Sequence, residues 1–159
     1  MDMHQELIQK FYSAFSKLDH ETMAACYHED VHFSDPAFTS LKGKEAVGMW
    51  HMLCTRAQQF NLAFDGVWTE GNKGGCKWVA TYLFSKTGRM VENHITAEFE
   101  FKDGKIIRHK DTFDLYKWTR MALGMPGILL GWTPFLQNKV RSMGMGELRK
   151  FMSKNGYES

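Results

Sequence analysis

Residues 90–102 read MVENHITAEFEFK, and their alternation decides the fold. Val91, Asn93, Ile95, Ala97, Phe99 and Phe101 fall on one side of an extended chain, and Glu92, His94, Thr96, Glu98 and Glu100 on the other. A period of two with one apolar face predicts an antiparallel strand whose inner face packs on a core while its outer face meets water or a partner. Working outward, residues 61–70, 76–86 and 105–115 also read as strands. The turn signals between them are Gly71-Asn72-Lys73-Gly74-Gly75, Thr87-Gly88 and Asp103-Gly104. Four strands joined in this way predict an antiparallel meander.

Upstream of the meander the period changes. Residues 3–17 place Leu7, Ile8, Phe11, Tyr12 and Phe15 at three-and-four spacing, which predicts an amphipathic helix. Asp19 precedes HETMAACY and predicts the cap of a short second helix. Val31–Asp35 reads as a short strand stopped by Pro36, and Gly43 precedes a third helix over 44–58. Helix, helix, strand, helix and then a meander define an α+β fold. The last part of the chain is different in character. Residues 117–154 hold seven Lys or Arg against a single acid, Glu147. They predict a helix at 115–124, a Pro/Gly-broken apolar stretch at 125–136 and a final helix at 137–153. The organisation expected is one domain over 1–116 with a C-terminal helical extension over 117–159.

Composition excludes several classes of function. The chain has 159 residues, 43% of them hydrophobic and 14% aromatic, and 20 Lys or Arg stand against 18 Asp or Glu. That is a globular composition with no polycationic character, so no nucleic-acid partner is expected. Cys26, Cys54 and Cys76 form no CxxC pair, which argues against both a zinc site and a disulfide framework and suits a reducing compartment. The N-terminal MDMHQELIQKF lacks an apolar signal-peptide core, and no run approaches the ~18 apolar residues that span a bilayer. The expectation is a cytoplasmic protein. His28 and His32 lie near Glu29 and Asp30, but their spacing matches no firm metal motif, so no metal or other cofactor is expected.

Strand alternation also nominates a site. Ile107, His109, Asp111 and Phe113 share a face, as do Trp78, Ala80, Tyr82 and Phe84, and as do Phe33 and Asp35. The inner faces then form an apolar cup with a few polar groups: Asp35, Asp111, His109, Tyr12, Tyr82 and Asn93. Such a mixture is usual in small-molecule sites. Burial disfavours a charged carboxylate, so Asp35 and Asp111 are candidate acids or bases, with His109 placed to orient one of them. Trp50, Trp78 and Phe113 are candidate walls. Each of these residues also has a plainer reading. Asp111 could bond Tyr or Trp groups inside the core, Asp35 before a proline is a common turn residue, and Tyr12 sits on an apolar helix face. The C-terminal MPGILLGWTPFL (125–136), flanked by Lys117, Arg120, Lys139 and Arg141, has the profile of a membrane-surface element. A lid over the cup or a dimer contact is the preferred reading, because the stretch is short and methionine-rich surfaces repack easily.

Three stretches, FYSAFSKLDHETMAACYHEDVHFSDPAF, LKGKEAVGMW and EFEFKDGKIIRHKDTFD, occur in an order and spacing that resemble the nuclear transport factor 2-like superfamily and, within it, the SnoaL-like proteins. The resemblance covers residues 5–116. It implies a cone: a curved sheet wrapped around the N-terminal helices, enclosing an apolar pocket and pairing through the sheet as a homodimer. It also implies a small, mostly apolar ligand of terpenoid, steroid or polyketide type, with isomerase, cyclase, dehydratase or hydrolase chemistry, or a carrier with no chemistry. Asp35-Pro36 matches the place of the isomerase general base, and Tyr12 lies close to that of an oxyanion donor. Ala97 stands where the isomerases carry a second, protonated Asp. Asp111 matches the Asp that limonene epoxide hydrolase has on its final strand, whereas Trp78 and Ala80 stand in place of that enzyme's Arg and second Asp.

Overall fold

The computed structural model describes residues 2–157. The N-terminal half holds three helices: α1 (Met3–Ser16), α2 (His20–Cys26) and, after the first two strands, α3 (Lys44–Arg56). The carboxylates of Asp2 and Asp19 accept the backbone N–H groups of Gln5 and Thr22, so each of the first two helices starts on an Asp cap. The strands are β1 (Tyr27–Ser34), β2 (Leu41–Lys42), β3 (Asn61–Glu70), β4 (Lys73–Phe84), β5 (Arg89–Lys102) and β6 (Lys105–Thr112). They form one six-stranded sheet in the order β2-β1-β6-β5-β4-β3. All neighbours are antiparallel except β1 and β6, which run parallel. The α+β reading therefore holds, with the expected meander forming β3–β6.

The alternation of residues 91–101 is realised in full. Val91, Asn93, Ile95, Ala97, Phe99 and Phe101 are buried, while Glu92, His94, Thr96 and Glu98 are exposed. Asp103-Gly104 closes the β5–β6 hairpin with both residues at positive φ, as a tight two-residue turn requires.

Three local readings change. β1 begins at Tyr27, inside the stretch expected to finish the second helix. Gly74 and Gly75 belong to β4 and not to a turn, and they are small because Trp68 lies across them: a Cβ on Gly75 would overlap the Trp68 indole and the Ala97 carbonyl. On β6 the inward place expected of Ile107 is taken by Ile106, which is fully buried. The cause is a register shift, since Glu100 pairs with Arg108 but Phe101 with Ile106, and the extra residue flips the alternation.

The C-terminal region is helical throughout: α4 (Leu115–Leu123), α5 (Met125–Leu130) and α6 (Pro134–Lys154). Pro126 and Pro134 start α5 and α6 in the first turn, where the missing N–H costs nothing, so the apolar stretch is not irregular as its Pro and Gly content suggested. α6 lies across α3, with Gly48 under Met152, Gly144 against Phe38 and an Arg56–Glu147 ion pair at 2.9 Å. The core sits between α1, α3 and the inner face of the sheet, centred on Phe11, Tyr12, Phe33, Met49 and Trp50. Among the described residues no helix is long and apolar enough to cross a membrane.

Candidate functional site

The sheet delivers its inward side chains in rows. Phe99 of β5 pairs with His109 of β6, and His109 pairs with Phe33 of β1. In the next inward row Cys76 of β4 pairs with Ala97, and Ala97 with Asp111. Ser34 pairs with Lys110 on the parallel side, so Asp35, the first residue past β1, runs alongside Asp111. The two carboxylates nominated by alternation thus come from adjacent parallel strands.

Asp111 ends a buried chain of hydrogen bonds. Trp50 Nε1–H donates to Tyr27 Oη at 2.8 Å, Tyr27 Oη and His109 Nδ1 are 2.7 Å apart, and His109 Nε2 and Asp111 Oδ1 are 2.9 Å apart. An indole N–H can only donate, so the Tyr27 oxygen accepts from Trp50; a carboxylate can only accept, so Asp111 takes the Nε2–H, and the neutral imidazole receives the Tyr27 proton at Nδ1. Nδ1 is then an acceptor, and the network assigns the imidazole proton to Nε2, from which it points at Asp111. Trp78 Nε1–H makes a second, longer contact to the same carboxylate oxygen at 3.4 Å. His109 is fully buried, stacked on the Trp50 ring at 5.9 Å and 4.5 Å from the tilted ring of Phe99. Burial pushes the Tyr27 phenol well above its ordinary range; Trp50's hydrogen bond opposes the shift and the charge of Asp111 adds to it.

Tyr12 of α1 reaches the same region. Its hydroxyl is buried and has no hydrogen-bond partner among the described residues. Desolvation, and then the charge of Asp111, push its phenol well up. The Cys76 thiol is pushed up to about 12, again chiefly by desolvation.

Asp35 closes a hydrogen-bonded turn after β1. Its Oδ1 accepts the N–H groups of Ala37 at 2.7 Å and Phe38 at 2.6 Å, and its own N–H donates to the Phe38 carbonyl. That is the turn role. Among the described residues no donor reaches Oδ2. The residue is half-buried, and desolvation lifts its carboxyl from 3.8 to about 7. The Phe38 and Ala37 N–H bonds oppose the rise and the nearby charge of Asp111 adds to it, but desolvation wins. A carboxyl that titrates near neutrality can give or take a proton under ordinary conditions.

The remaining nominated residues divide by depth. Trp50 and Trp78 donate into the buried chain and pack in the core together with Phe11, Phe15 and Phe33. Asp35, Tyr82 and Phe113 are half-buried, and Trp118 of α4 donates to Tyr82 Oη at 2.8 Å. Burial raises the Tyr82 phenol, and Asp35 contributes to that rise. Asn93 is 8% exposed and pairs with Ala80 across the sheet. Two open surface hollows lie away from these residues. One, of about 330 Å³, lies over the β3–β4 bulge beside Asp65 and Trp68, and the other, of about 390 Å³, lies beside His32 and Lys42. Among the described residues no cluster of His, Cys, Asp or Glu has the geometry to hold a metal ion.

Two participants escaped the sequence reading. Tyr27 is an even number of residues before Val31 and Phe33, so extending that alternation backward would have found it. Trp118 has no local signal, since its partner Tyr82 is on another element.

Similarity to known proteins agrees with this architecture. Among proteins of curated function, none matches the chain. Solved structures do match. A ketosteroid isomerase-like protein from Catenulispora acidiphila, in complex with trimethylamine, aligns with a TM-score of 0.67 at 14% identity over 81% of this chain and 98% of its own. An epoxide hydrolase of the limonene type from M. tuberculosis aligns at 0.65 with 17% identity over 81% and 96%. IdmH of Streptomyces antibioticus, a polyketide cyclase by assignment, aligns at 0.63 with 20% identity over 76% and 97%. At these identities the likeness is one of fold. The SnoaL-like domain model matches residues 8–109, from α1 through His109, and on that span the chain belongs to the SnoaL-like family.

Proposed function

We propose that the protein transfers a proton to or from a small, mostly apolar molecule held at the rim of the cup, with Asp35 as the acid–base group. The observation that carries this reading is a carboxyl titrating near 7 with one oxygen tied to the turn and the other free of protein donors. Asp111 is the positioning partner. Anchored at Oδ1 by His109 and Trp78, it places a fixed negative charge beside Asp35 and keeps the Asp35 proton from leaving early. Tyr82, Phe113 and Asn93 supply the contact surface, and the unpartnered Tyr12 hydroxyl supplies a donor for developing negative charge. The ligand class of this reading is terpenoid, steroid or polyketide-like, and the apolar lining and membership of the SnoaL-like family support it. The reaction class is proton abstraction next to a carbonyl, the step shared by isomerisation and cyclisation.

The test is solvent exchange. Ketones of these three classes are incubated with the protein in D₂O, and deuterium entering the α-carbon is read by mass spectrometry. Asp35 takes the α-proton and returns a deuteron, so exchange is expected for at least one class, with a pH midpoint near 7, and is lost in Asp35→Asn. Exchange absent from the wild type, or retained by Asp35→Asn, overturns the assignment. Ligand binding without exchange makes the protein a carrier. The homodimer implied by the family would use the exposed outer face bearing Glu92, His94, Thr96 and Glu98, and a monomer in sedimentation velocity would rule it out.

A further inference from the structure

We infer that α5 and the start of α6 dock the protein on an anionic lipid surface. A lid would turn its apolar side chains inward, and here they point out. Met125 is 65% exposed, Leu129 61%, Trp132 66% and Phe135 72%. Ile128 and Leu130 add to the same patch. The reason is visible in the glycines. Gly127 and Gly131 press against the backbone and hydroxyl of buried Thr119, where any Cβ would overlap. Tyr116 Oη–H also donates to the Ile128 carbonyl at 2.9 Å. α5 is therefore held to α4 through its backbone, which leaves its large side chains free to face outward. Contiguous exposed apolar surface of this kind marks an interaction site.

Charge selects the partner. Lys117 and Arg120 on α4, the helix that α5 packs against, and Lys139 on α6 are exposed, Lys139 one turn beyond Phe135. Among the described residues none of the three is paired with an acid, and Arg120 lies over the Tyr116 ring. The only acid within α4–α6 is Glu147, and it is engaged by Arg56 and Lys86. Trp132 keeps its indole N–H on the Leu129 carbonyl at 3.1 Å, so its ring can enter a headgroup region without an unsatisfied donor. An apolar patch on helices whose free charges are cations fits an anionic bilayer better than a second copy of itself, whose cations would face these.

Co-sedimentation of the whole protein with vesicles tests this. It is expected to bind vesicles of phosphatidylcholine mixed with phosphatidylglycerol and to stay in solution with phosphatidylcholine alone. Leu129→Glu/Phe135→Glu is expected to lower binding at least about tenfold, and Lys117→Glu/Lys139→Glu by about fivefold per charge. Both pairs are exposed, so unchanged thermal unfolding serves as the folding control. Wild-type protein that leaves the mixed vesicles in the supernatant overturns the proposal, as does equal sedimentation of the Leu129→Glu/Phe135→Glu variant. A dimer in sedimentation velocity that this variant dissolves, with no vesicle binding, would assign the patch to self-association instead.

Discussion

Tyr27 Oη lies between an indole that can only donate and the Nδ1 of an imidazole whose proton faces Asp111 from Nε2. Removing that oxygen strands both neighbours in a dry core. Tyr27→Phe is therefore expected to cost about 2–3 kcal/mol, because two buried polar groups lose their partner at once. Trp50→Phe removes one of the stranded groups, so the double variant should be more stable than additivity allows; urea melts of the four-member cycle measure the coupling. The second residue-scale prediction concerns Asp35. Its carboxyl carbon, followed by NMR, is expected to titrate near 7 in the wild type and lower in Asp111→Asn, because the Asp111 charge is one of the causes of its rise. A midpoint below about 5 in the wild type would contradict desolvation as the dominant cause.

At the scale of elements, the parallel pairing of β1 with β6 makes the site. It sets Phe33 beside His109 and carries Asp35 up alongside Asp111, while the β6 bulge turns Ile106 inward without displacing either acid. The Gly127 and Gly131 contacts do the same for the outer patch. Gly131→Ala forces a methyl group into Thr119 and is expected to destabilise the α4–α5 docking by about 1–3 kcal/mol. Hydrogen exchange should show the loss confined to 125–131, with the amides of β5 still protected. Protection lost evenly through the sheet would mean that α5 is part of the main cooperative unit.

For the molecule as a whole, the raised carboxyl of Asp35 gives folding stability a definite pH dependence. Between the unfolded value of 3.8 and about 7, the native state holds a proton that the unfolded chain has released, so stability falls as pH rises through this window. Taken alone, this group contributes at most about 4 kcal/mol over the window. Urea unfolding at pH 5 and pH 8 should show the decline, and Asp35→Asn should flatten it. A decline of equal size in Asp35→Asn would place the titrating group elsewhere.

How far the sequence reached depended on the range of the interaction. Residues 91–101 announced their strand because each side chain reports its own face, and the Asp caps and Asp103-Gly104 turn are equally local. That was enough for the order of elements, the α+β class and the nomination of Asp35, His109 and Asp111. Where neighbours several positions away intervene, local reading failed: Tyr27 was placed at a helix end, Ile107 on the wrong face of a bulged strand, and Gly74-Gly75 in a turn. Tertiary structure alone decided that Trp50, from α3, donates into a hydrogen-bond chain ending on β6, and that Trp118 closes on Tyr82. It also decided that the apolar side chains of α5 face outward. Each depends on contacts between residues distant in sequence, and a one-dimensional pattern carries periodicity and propensity but not the packing that chooses among partners.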